Sequence, residues 1–303
     1  MRAQSFGIRR LPATLLRVLL AVPLLAGLAA GGCQGAPEPD PLLTPTLLLA
    51  RADASIGSPV EMSYRFAVAP ATRFAEDYTV FVHFLDSDRE ILWTDDHQPP
   101  VPTREWTPGT TVEYTRTMFV PRFPHTGETR VEVGLFSTTT GERVPMAGEN
   151  MGQRSYQVAT FNLRPQSDNL FVVFTRGWQE TETPGESLGT EWQWSKQEGV
   201  LGFRNPMRDS LFYLEVDQPL KAVGSQQVEI RVGTSVVDRF ELAPGARQLR
   251  KVPIGKDLFG AAESAEIVVG VGKTFVPATI PELKSTDARE LGVRVFRAYL
   301  QPQ

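Results

Sequence analysis

The chain has 303 residues, with 31 Lys and Arg against 35 Asp and Glu, a formal charge of −4 and a single cysteine. Without residues 1–32 it loses four arginines and no acidic residue, which leaves 27 basic against 35 acidic residues and a charge of −8. So acidic a chain offers no general basic surface for nucleic acid. One cysteine excludes an internal disulfide, so stability must come from hydrophobic cores.

The first 32 residues predict an export signal. Basic residues near the start are followed by an apolar run, Val18 to Ala30, which is too short for a comfortable membrane span. The end of that run, Ala30-Gly-Gly-Cys33, resembles a bacterial lipobox, although Ala30 stands where the family usually has leucine. The resemblance implies that Cys33 becomes the lipidated N-terminus, carrying acyl chains such as palmitate. The alternative is a secreted protein cut near Ala30, with Cys33 a spare thiol.

Lipidation would place the protein in the cell envelope, in the outer membrane if the source is Gram-negative. Residues 33–45 contain four prolines and little apolar periodicity. This composition favours an extended, solvated tether between the lipid and the globular part. The membrane is therefore an expected partner through the N-terminal lipid alone.

Residues 46–164 alternate between short apolar stretches and turn signals. The segment Val60–Val68 alternates as a half-buried strand does, whereas Asp77–Leu85 is apolar on both faces and indicates a central strand. Further strands are predicted at 91–93, 111–120, 130–137 and 156–163. Short strands at this spacing, with no helix-periodic stretch, favour an antiparallel sandwich of immunoglobulin-like type.

Several motifs within residues 60–147 resemble a β-sandwich module attached to bacterial envelope glycosyltransferases. They are Val80-Phe-Val-His-Phe-Leu-Asp86, Asp96-His-Gln-Pro-Pro-Val-Pro-Thr103, Trp106-Thr-Pro-Gly109, Val131-Glu-Val-Gly-Leu-Phe136 and Thr140-Gly-Glu-Arg143. The resemblance implies a fold and an envelope setting, and it implies no reaction.

The polar, turn-forming residues 165–169 predict a domain boundary. Eight alternating segments follow within residues 170–303, at 170–178, 191–195, 200–203, 210–216, 227–232, 236–242, 265–271 and 291–300. Eight strands with little helix favour a second antiparallel β-sandwich, a jelly roll. Two stretches of this half, Gly177-Trp-x-Glu180 with Trp192-x-Trp194 and Pro277 with Asp287–Gly292, resemble a jelly-roll module of polysaccharide-associated proteins. Carbohydrate binding is then an analogy from fold.

Tryptophan spacing suggests where carbohydrate would bind. Trp192 and Trp194 are two residues apart, as are Trp178 and Glu180, so each pair projects from one face of a strand. Exposed rings stack on the C–H faces of sugars, and Glu180 with Arg204 would bind hydroxyls. The alternative is that the tryptophans fill the sandwich core, where large aromatic residues commonly lie.

Metal binding and catalysis have weaker sequence support. His83, His97 and His125 form no local ligand pair, and Asp86-x-Asp88 is typical of a turn, so we predict no metal and no cofactor. If calcium binds, Asp86, Asp88, Asp95 and Asp96 are the first candidates.

No Gly-x-Ser-x-Gly elbow, zinc-protease helix or cysteine nucleophile is present in the sequence. A glycosidase needs only two suitably spaced carboxylates, such as Glu180 and Glu182, so it stays an alternative.

The sequence as a whole predicts a non-catalytic, lipid-anchored envelope protein that binds or organises surface polysaccharide. A scaffold lipoprotein in an envelope complex is the principal alternative, with an envelope protein as its partner. A glycan-acting enzyme is the third. Exposure of Trp178, Trp192 and Trp194 would favour the first over the second.

Overall fold

The computed structural model describes residues 39–122, 125–166, 171–184 and 191–303. The predicted signal peptide, Cys33 and most of the predicted domain boundary lie outside these residues. Pro39–Gln303 form one compact unit, and its regular structure is β-strand with a few short 3₁₀ turns. The all-β fold class predicted from strand periodicity is confirmed. No helix within the described ranges has the length and apolarity needed to span a membrane.

Within the described residues, nine strands build an N-terminal sandwich. They are β1 (Leu43–Leu49), β2 (Asp53–Ser55), β3 (Pro59–Val68), β4 (Thr79–Leu85), β5 (Ile91–Thr94), β6 (Thr111–Phe119), β7 (Gly127–Phe136), β8 (Glu149–Asn150) and β9 (Tyr156–Arg164). One sheet has the order β1-β3-β6 and the other β2-β9-β7-β4-β5, with β8 paired to β9. Strands β1 and β2 act as two halves of one first strand, and each half pairs with a different sheet. Together with the neighbouring β4, β7 and β9, this is the immunoglobulin-like arrangement.

Side-chain alternation explains why these segments form strands. In β3, Met62, Tyr64 and Phe66 are buried and the residues between them face outward. Strand β4 is buried along most of its length because it lies between β5 and β7 and is covered on both faces. The sequence did not predict β1, which begins at Leu43, inside the segment assigned to the tether. Leu43 is 1% exposed, and the strand tolerates Pro45 because β1 is a sheet edge.

In the described part of the second half, eight strands form the C-terminal sandwich. They are β10 (Val173–Trp178), β11 (Gln193–Arg204), β12 (Ser210–Asp217), β13 (Gln226–Val232), β14 (Ser235–Leu242), β15 (Arg247–Ile254), β16 (Ser264–Val271) and β17 (Arg294–Pro302). Hydrogen bonding runs in the order β14-β13-β16-β11-β17-β12-β15, and β10 also pairs with β11. The two ends of β11 pair with different strands, β17 and β16. When these ends are counted as two strands, the strand order is that of a jelly roll.

Strand β11 corrects the predicted segmentation. The sequence predicts separate strands at 191–195 and 200–203, but the structure has one continuous strand. Its first residues, Gln193 and Trp194, pair with β17, and residues 198–204 pair with β16. The strand therefore passes from one sheet into the other.

Strand β15 was missed because its sequence, Arg-Gln-Leu-Arg-Lys-Val-Pro-Ile, contains three cations and a proline. Both are typical of an edge strand, which β15 is. Strand β15 itself buries Val252, and the neighbouring β12 buries Phe212 and Leu214, in the core of the sandwich. Each such side chain stabilises the fold by roughly 1.5–3 kcal/mol.

The two sandwiches contact each other through the outer face of β12, β15 and β17. The ring of Phe119, at the end of β6, packs edge-on against Tyr213 with centroids 6.2 Å apart. The guanidinium of Arg297 lies 5.1 Å from the centre of the Phe119 ring. Lys251 donates to Glu61 across the same boundary. Aromatic, cation–π and ionic contacts therefore hold one sandwich against the other.

Candidate functional site

Trp194 lies in a small apolar cluster rather than on the surface. Its ring is 6% exposed and packs edge-on against Phe275, with centroids 5.7 Å apart, beside Leu291. The segment that follows β16 supplies both neighbours and covers this face of β11. Trp192 packs against the same cluster but stays half-buried. Trp194 is therefore not exposed for stacking on a sugar. Trp192 lies at the edge of the cluster and keeps part of its ring exposed.

Trp178 packs onto the backbone of the neighbouring strand. Its Nε1 donates to the carbonyl of Val200 at 2.8 Å, and Phe174 lies edge-on at 4.7 Å. A Cβ added to Gly199 would lie 2.4 Å from Trp178 Cζ2, so the ring occupies the space that this glycine leaves. The half-buried Trp178 therefore has a packing role where β10 meets β11.

The other two predicted residues lie elsewhere. Glu180 and Arg204 are exposed. Arg204 ends β11, ten residues after Trp194, which is roughly 33 Å along an extended strand. Because of that separation, the structure does not bring Arg204 to the tryptophan pair. The structure therefore does not bring all five predicted residues together.

Trp192 has different neighbours, which we call the aryl–arginine patch: Trp192, Arg247, Arg294 and Phe296. The guanidinium of Arg294 lies 4.8 Å from the centre of the Trp192 ring and 5.3 Å from that of Phe296. The guanidinium of Arg247 covers the Phe296 ring at 3.5 Å. The patch is therefore a run of alternating rings and cations.

A bulge in β17 gives the patch its shape. Arg297 pairs with Glu215 and Val295 with Val216, so Phe296 is the extra residue. The bulge turns Phe296 and Arg297 outward, and Val295 packs into the core. Sequence reasoning missed this arrangement because the surrounding alternation gives no sign of an inserted residue.

Two carboxylates fix the arginines of this face. Arg294 binds Asp217 through both ends of its guanidinium, with Nε–Oδ1 at 2.8 Å and Nη2–Oδ2 at 2.6 Å. Arg247 and Arg297 share Glu215, at 2.8 and 3.4 Å. Burial is the main cause of the lowered pKa of Arg297, and Arg247 adds repulsion. Arginines thus outnumber carboxylates here.

Asp287 and Arg289 form a surface ion pair near the end of the chain. Asp287 accepts from Arg289 Nε at 3.0 Å and from Nη2 at 2.7 Å, and Arg289 Nη1 also contacts Glu182 at 2.8 Å. Hydrogen bonding to Arg289 lowers the pKa of Asp287. Glu182 therefore belongs to an ion-pair network with Arg289 and Asp287, whereas the nearby Glu180 is exposed.

Several candidate metal ligands of the N-terminal sandwich, among them His97, Asp86, Asp95 and Asp96, are engaged in hydrogen bonds. His97 Nδ1 lies 2.8 Å from the carbonyl of Asp95, and Nε2 lies 2.8 Å from the hydroxyl of Tyr114. The Asp95 carboxylate binds Arg116, and Asp96 accepts from the amide of Val82. Asp86 Oδ1 accepts the amides of Asp88 and Glu90, which makes a turn. Within the described ranges, no three His, Cys, Asp or Glu side chains are placed to hold a metal ion.

Comparison with known proteins gives remote similarity only. No protein-family model matches the chain, and no curated protein matches it. Solved structures similar to it include the Pseudomonas fluorescens alkylpurine DNA glycosylase AlkC, at 14% identity and TM-score 0.28 over 41% of this chain and 31% of that one. The CBM36-1 domain of a multidomain xylanase from the hindgut metagenome of Trinervitermes trinervoides has 11% identity and TM-score 0.26, over 45% of this chain and 97% of that one.

A third similar structure is the Bacteroides uniformis β-glucuronidase, with 14% identity and a TM-score of 0.27. The match covers 86% of this chain but 30% of the glucuronidase. The chain thus spans less than a third of the glycosylase and of the glucuronidase. Carbohydrate-binding and glycan-acting proteins are among the neighbours, but similarity at this level carries no activity across to this chain.

Proposed function

We propose that the protein is a non-catalytic, lipid-anchored envelope protein that binds or organises surface polysaccharide. The aryl–arginine patch supports this proposal. Trp192 and Phe296 are half-buried, with ring centroids 5.9 Å apart. Such rings present an apolar surface to the C–H face of a sugar, while Arg247 and Arg294 supply N–H donors for hydroxyls.

The side chains of the patch are held in place before a ligand binds, and this favours recognition of a rigid ligand. Asp217 is 6% exposed and holds Arg294 through two hydrogen bonds, so the cation between the two rings is fixed before a ligand arrives. Fixed side chains lose little entropy on binding. Lipid attachment at Cys33 belongs to the same proposal and would hold the patch near the membrane that carries the polysaccharide.

A binding assay tests the patch. The Cys33→Ser protein, purified as the soluble mature chain, is screened on a glycan array, and the best ligand is titrated by calorimetry. We expect Phe296→Ala to weaken binding about tenfold, the size of one aromatic contact. Ile91→Ala, at a side chain 54% exposed on β5, is the matched control. Equal binding by both variants would exclude the patch, and hydrolysis of the ligand would contradict the non-catalytic assignment.

A scaffold lipoprotein is the second candidate, and two observations favour it. Trp194 is buried and Trp178 is packed, so most of the predicted platform serves stability. Leu48 is 56% exposed and Ile91 54% exposed, and both lie on edge strands, β1 and β5. Exposed apolar edges suit protein contacts. Cross-linking in cells would capture a specific envelope protein if this function is the correct one.

A further inference from the structure

A cleft of about 290 Å³ lies between the two sandwiches, apart from the aryl–arginine patch. Its N-terminal wall comes from the β1–β2 connection and the start of β3. Its C-terminal wall comes from the loop before β12, from β12 itself and from the end of β17. Clefts at domain interfaces are common places for small ligands. The side chains used below are Arg51, Ser55, Arg208, Tyr299 and Gln301.

The charges around the cleft are unbalanced. The two carboxylates in its lining have partners of their own, because Asp53 binds Arg164 at 2.5 Å and Glu61 binds Lys251. Arg51 and Arg208 are exposed, and neither guanidinium contacts a carboxylate of the described residues. One cation from each sandwich therefore faces the cleft without a counter-charge. This is unusual in a chain whose acidic residues outnumber its basic ones.

The uncharged groups suit a sugar ring. Tyr299 is half-buried and lies edge-on to Tyr213 with centroids 6.4 Å apart. The hydroxyl of Tyr213 donates to Gln301 Oε1 at 3.0 Å. The amide nitrogen of Gln301 donates to no other side chain or carbonyl of the described residues, so its two N–H groups are available to a ligand. The cleft thus combines an aromatic ring, amide donors and the hydroxyl of Ser55.

We propose that this cleft binds a uronic acid residue of an anionic polysaccharide, with the sugar ring at Tyr299 and the carboxylate between Arg51 and Arg208. Guanidinium groups bind carboxylates through paired, charge-assisted hydrogen bonds. Inorganic phosphate would use the arginines but not the aromatic ring or the amide. The choice of a saccharide rests on the proposed function, whereas the requirement for an anion rests on the cleft alone.

The test uses the mature Cys33→Ser protein and calorimetric titration with trigalacturonate and with trimannuronate. The same trimers with each carboxylate reduced to an alcohol serve as neutral probes. We expect at least one acidic trimer to bind and its neutral form to bind at least tenfold more weakly. Arg51→Gln and Arg208→Gln should each weaken binding of the acidic trimer about tenfold, the size of one charge-assisted contact. Both replacements are at exposed side chains, and unchanged melting curves would show that folding is intact.

Arg73→Gln is the matched control, because Arg73 is also exposed and lies outside the cleft lining. It makes the same change of charge and should leave affinity unchanged. The proposal is overturned if neither acidic trimer binds, if the neutral trimers bind equally well, or if both arginine variants keep full affinity. Inorganic phosphate that binds as tightly as the trimers would identify a general anion site and also overturn it. Phe296→Ala should not change these titrations, so failure of the patch and failure of the cleft are separable.

Discussion

The Nε2 atom of His97 lies 2.8 Å from the hydroxyl oxygen of Tyr114, and this contact joins the two sheets of the N-terminal sandwich. His97 pairs with Val80 of β4 through two backbone hydrogen bonds of 2.9 Å, whereas Tyr114 belongs to β6. Tyr64 stacks on Tyr114 with centroids 5.1 Å apart. Burial raises the pKa of both tyrosines, which stay protonated. A polar connection therefore runs through this core.

This connection predicts acid sensitivity. Burial lowers the pKa of His97 below its ordinary value of 6.5, and Arg116 lowers it further, while hydrogen bonding to Asp95 and the charges of Asp95 and Asp96 raise it. As the pH falls below that value, the unfolded chain binds the proton before the folded chain does. Stability is therefore full above the unfolded pKa and declines below it, by at most about 1.4 kcal/mol per pH unit for one group.

Urea unfolding of the wild type and His97→Gln, above pH 7 and at about pH 5.5, checks this prediction. The wild type should lose more stability over that interval than the variant does. His83 is the comparison, because burial also lowers its pKa although it is only half-buried. His83→Gln should therefore keep most of the pH dependence. An equal loss of unfolding free energy in wild type and His97→Gln between the two pH values would show that His97 does not cause the pH dependence.

Gly177 should not tolerate a side chain. Its φ is +78°, and an added Cβ would lie 1.8 Å from the carbonyl oxygen of Glu198. Gly233 also has a positive φ, +58°, but nothing lies within 4 Å of its Cβ position. The left-handed conformation alone costs a side chain about 1–2 kcal/mol. We expect Gly233→Ala to lose about that amount of unfolding free energy in urea, and Gly177→Ala distinctly more. Equal losses would mean that the strand shifts to make room.

Replacing Trp194 should lower the free energy of unfolding more than replacing Trp192 does. Trp194→Ala would leave a cavity beside Phe275 and should cost roughly 3–5 kcal/mol of unfolding free energy. Trp192→Ala removes a half-buried ring and should cost less while weakening glycan binding. Chemical denaturation and calorimetric titration of both variants measure the two quantities. A stable Trp194→Ala protein would contradict the burial described above.

Lipid anchoring should depend on Cys33, which lies outside the described residues. Cys33→Ser should abolish labelling by palmitate and move the mature protein to the soluble fraction. The acyl chains stabilise membrane binding by about 0.8 kcal/mol for each buried CH₂ group, which no other expected feature replaces. Ser58→Ala, within the folded part, is the control and should stay with the membrane. Retention of Cys33→Ser in the membrane fraction would refute the anchor.

Local pattern was enough to predict most strands. The alternation in Pro59–Val68 and the doubly apolar Thr79–Leu85 come from the faces that each strand buries, and those faces are visible in the sequence. Strands β1 and β15 were missed because edge strands accept proline and charge, which weakens the pattern. The fold class, two antiparallel β-sandwiches, was predicted from the number and spacing of those strands.

The candidate sites could not be predicted in this way. Whether Trp194 is exposed depends on Phe275 and Leu291, which are distant in the sequence and cover it from a loop. The cleft needs Arg51 and Arg208 from different sandwiches, and no local spacing relates them. Contacts of this kind are set by how whole sheets pack, so a single sequence carries little sign of them.

The continuity of β11 has a consequence for hydrogen exchange. Trp194 pairs with β17 in one sheet, while Leu201, on the same strand, pairs with β16 in the other. A fluctuation that releases β11 must therefore expose amides in both sheets at once, whereas β14 can fray alone at its edge. The jelly roll should lose protection of β16 and β17 in one step, with a common opening free energy, as a single cooperative unit rather than as two sheets that separate in turn.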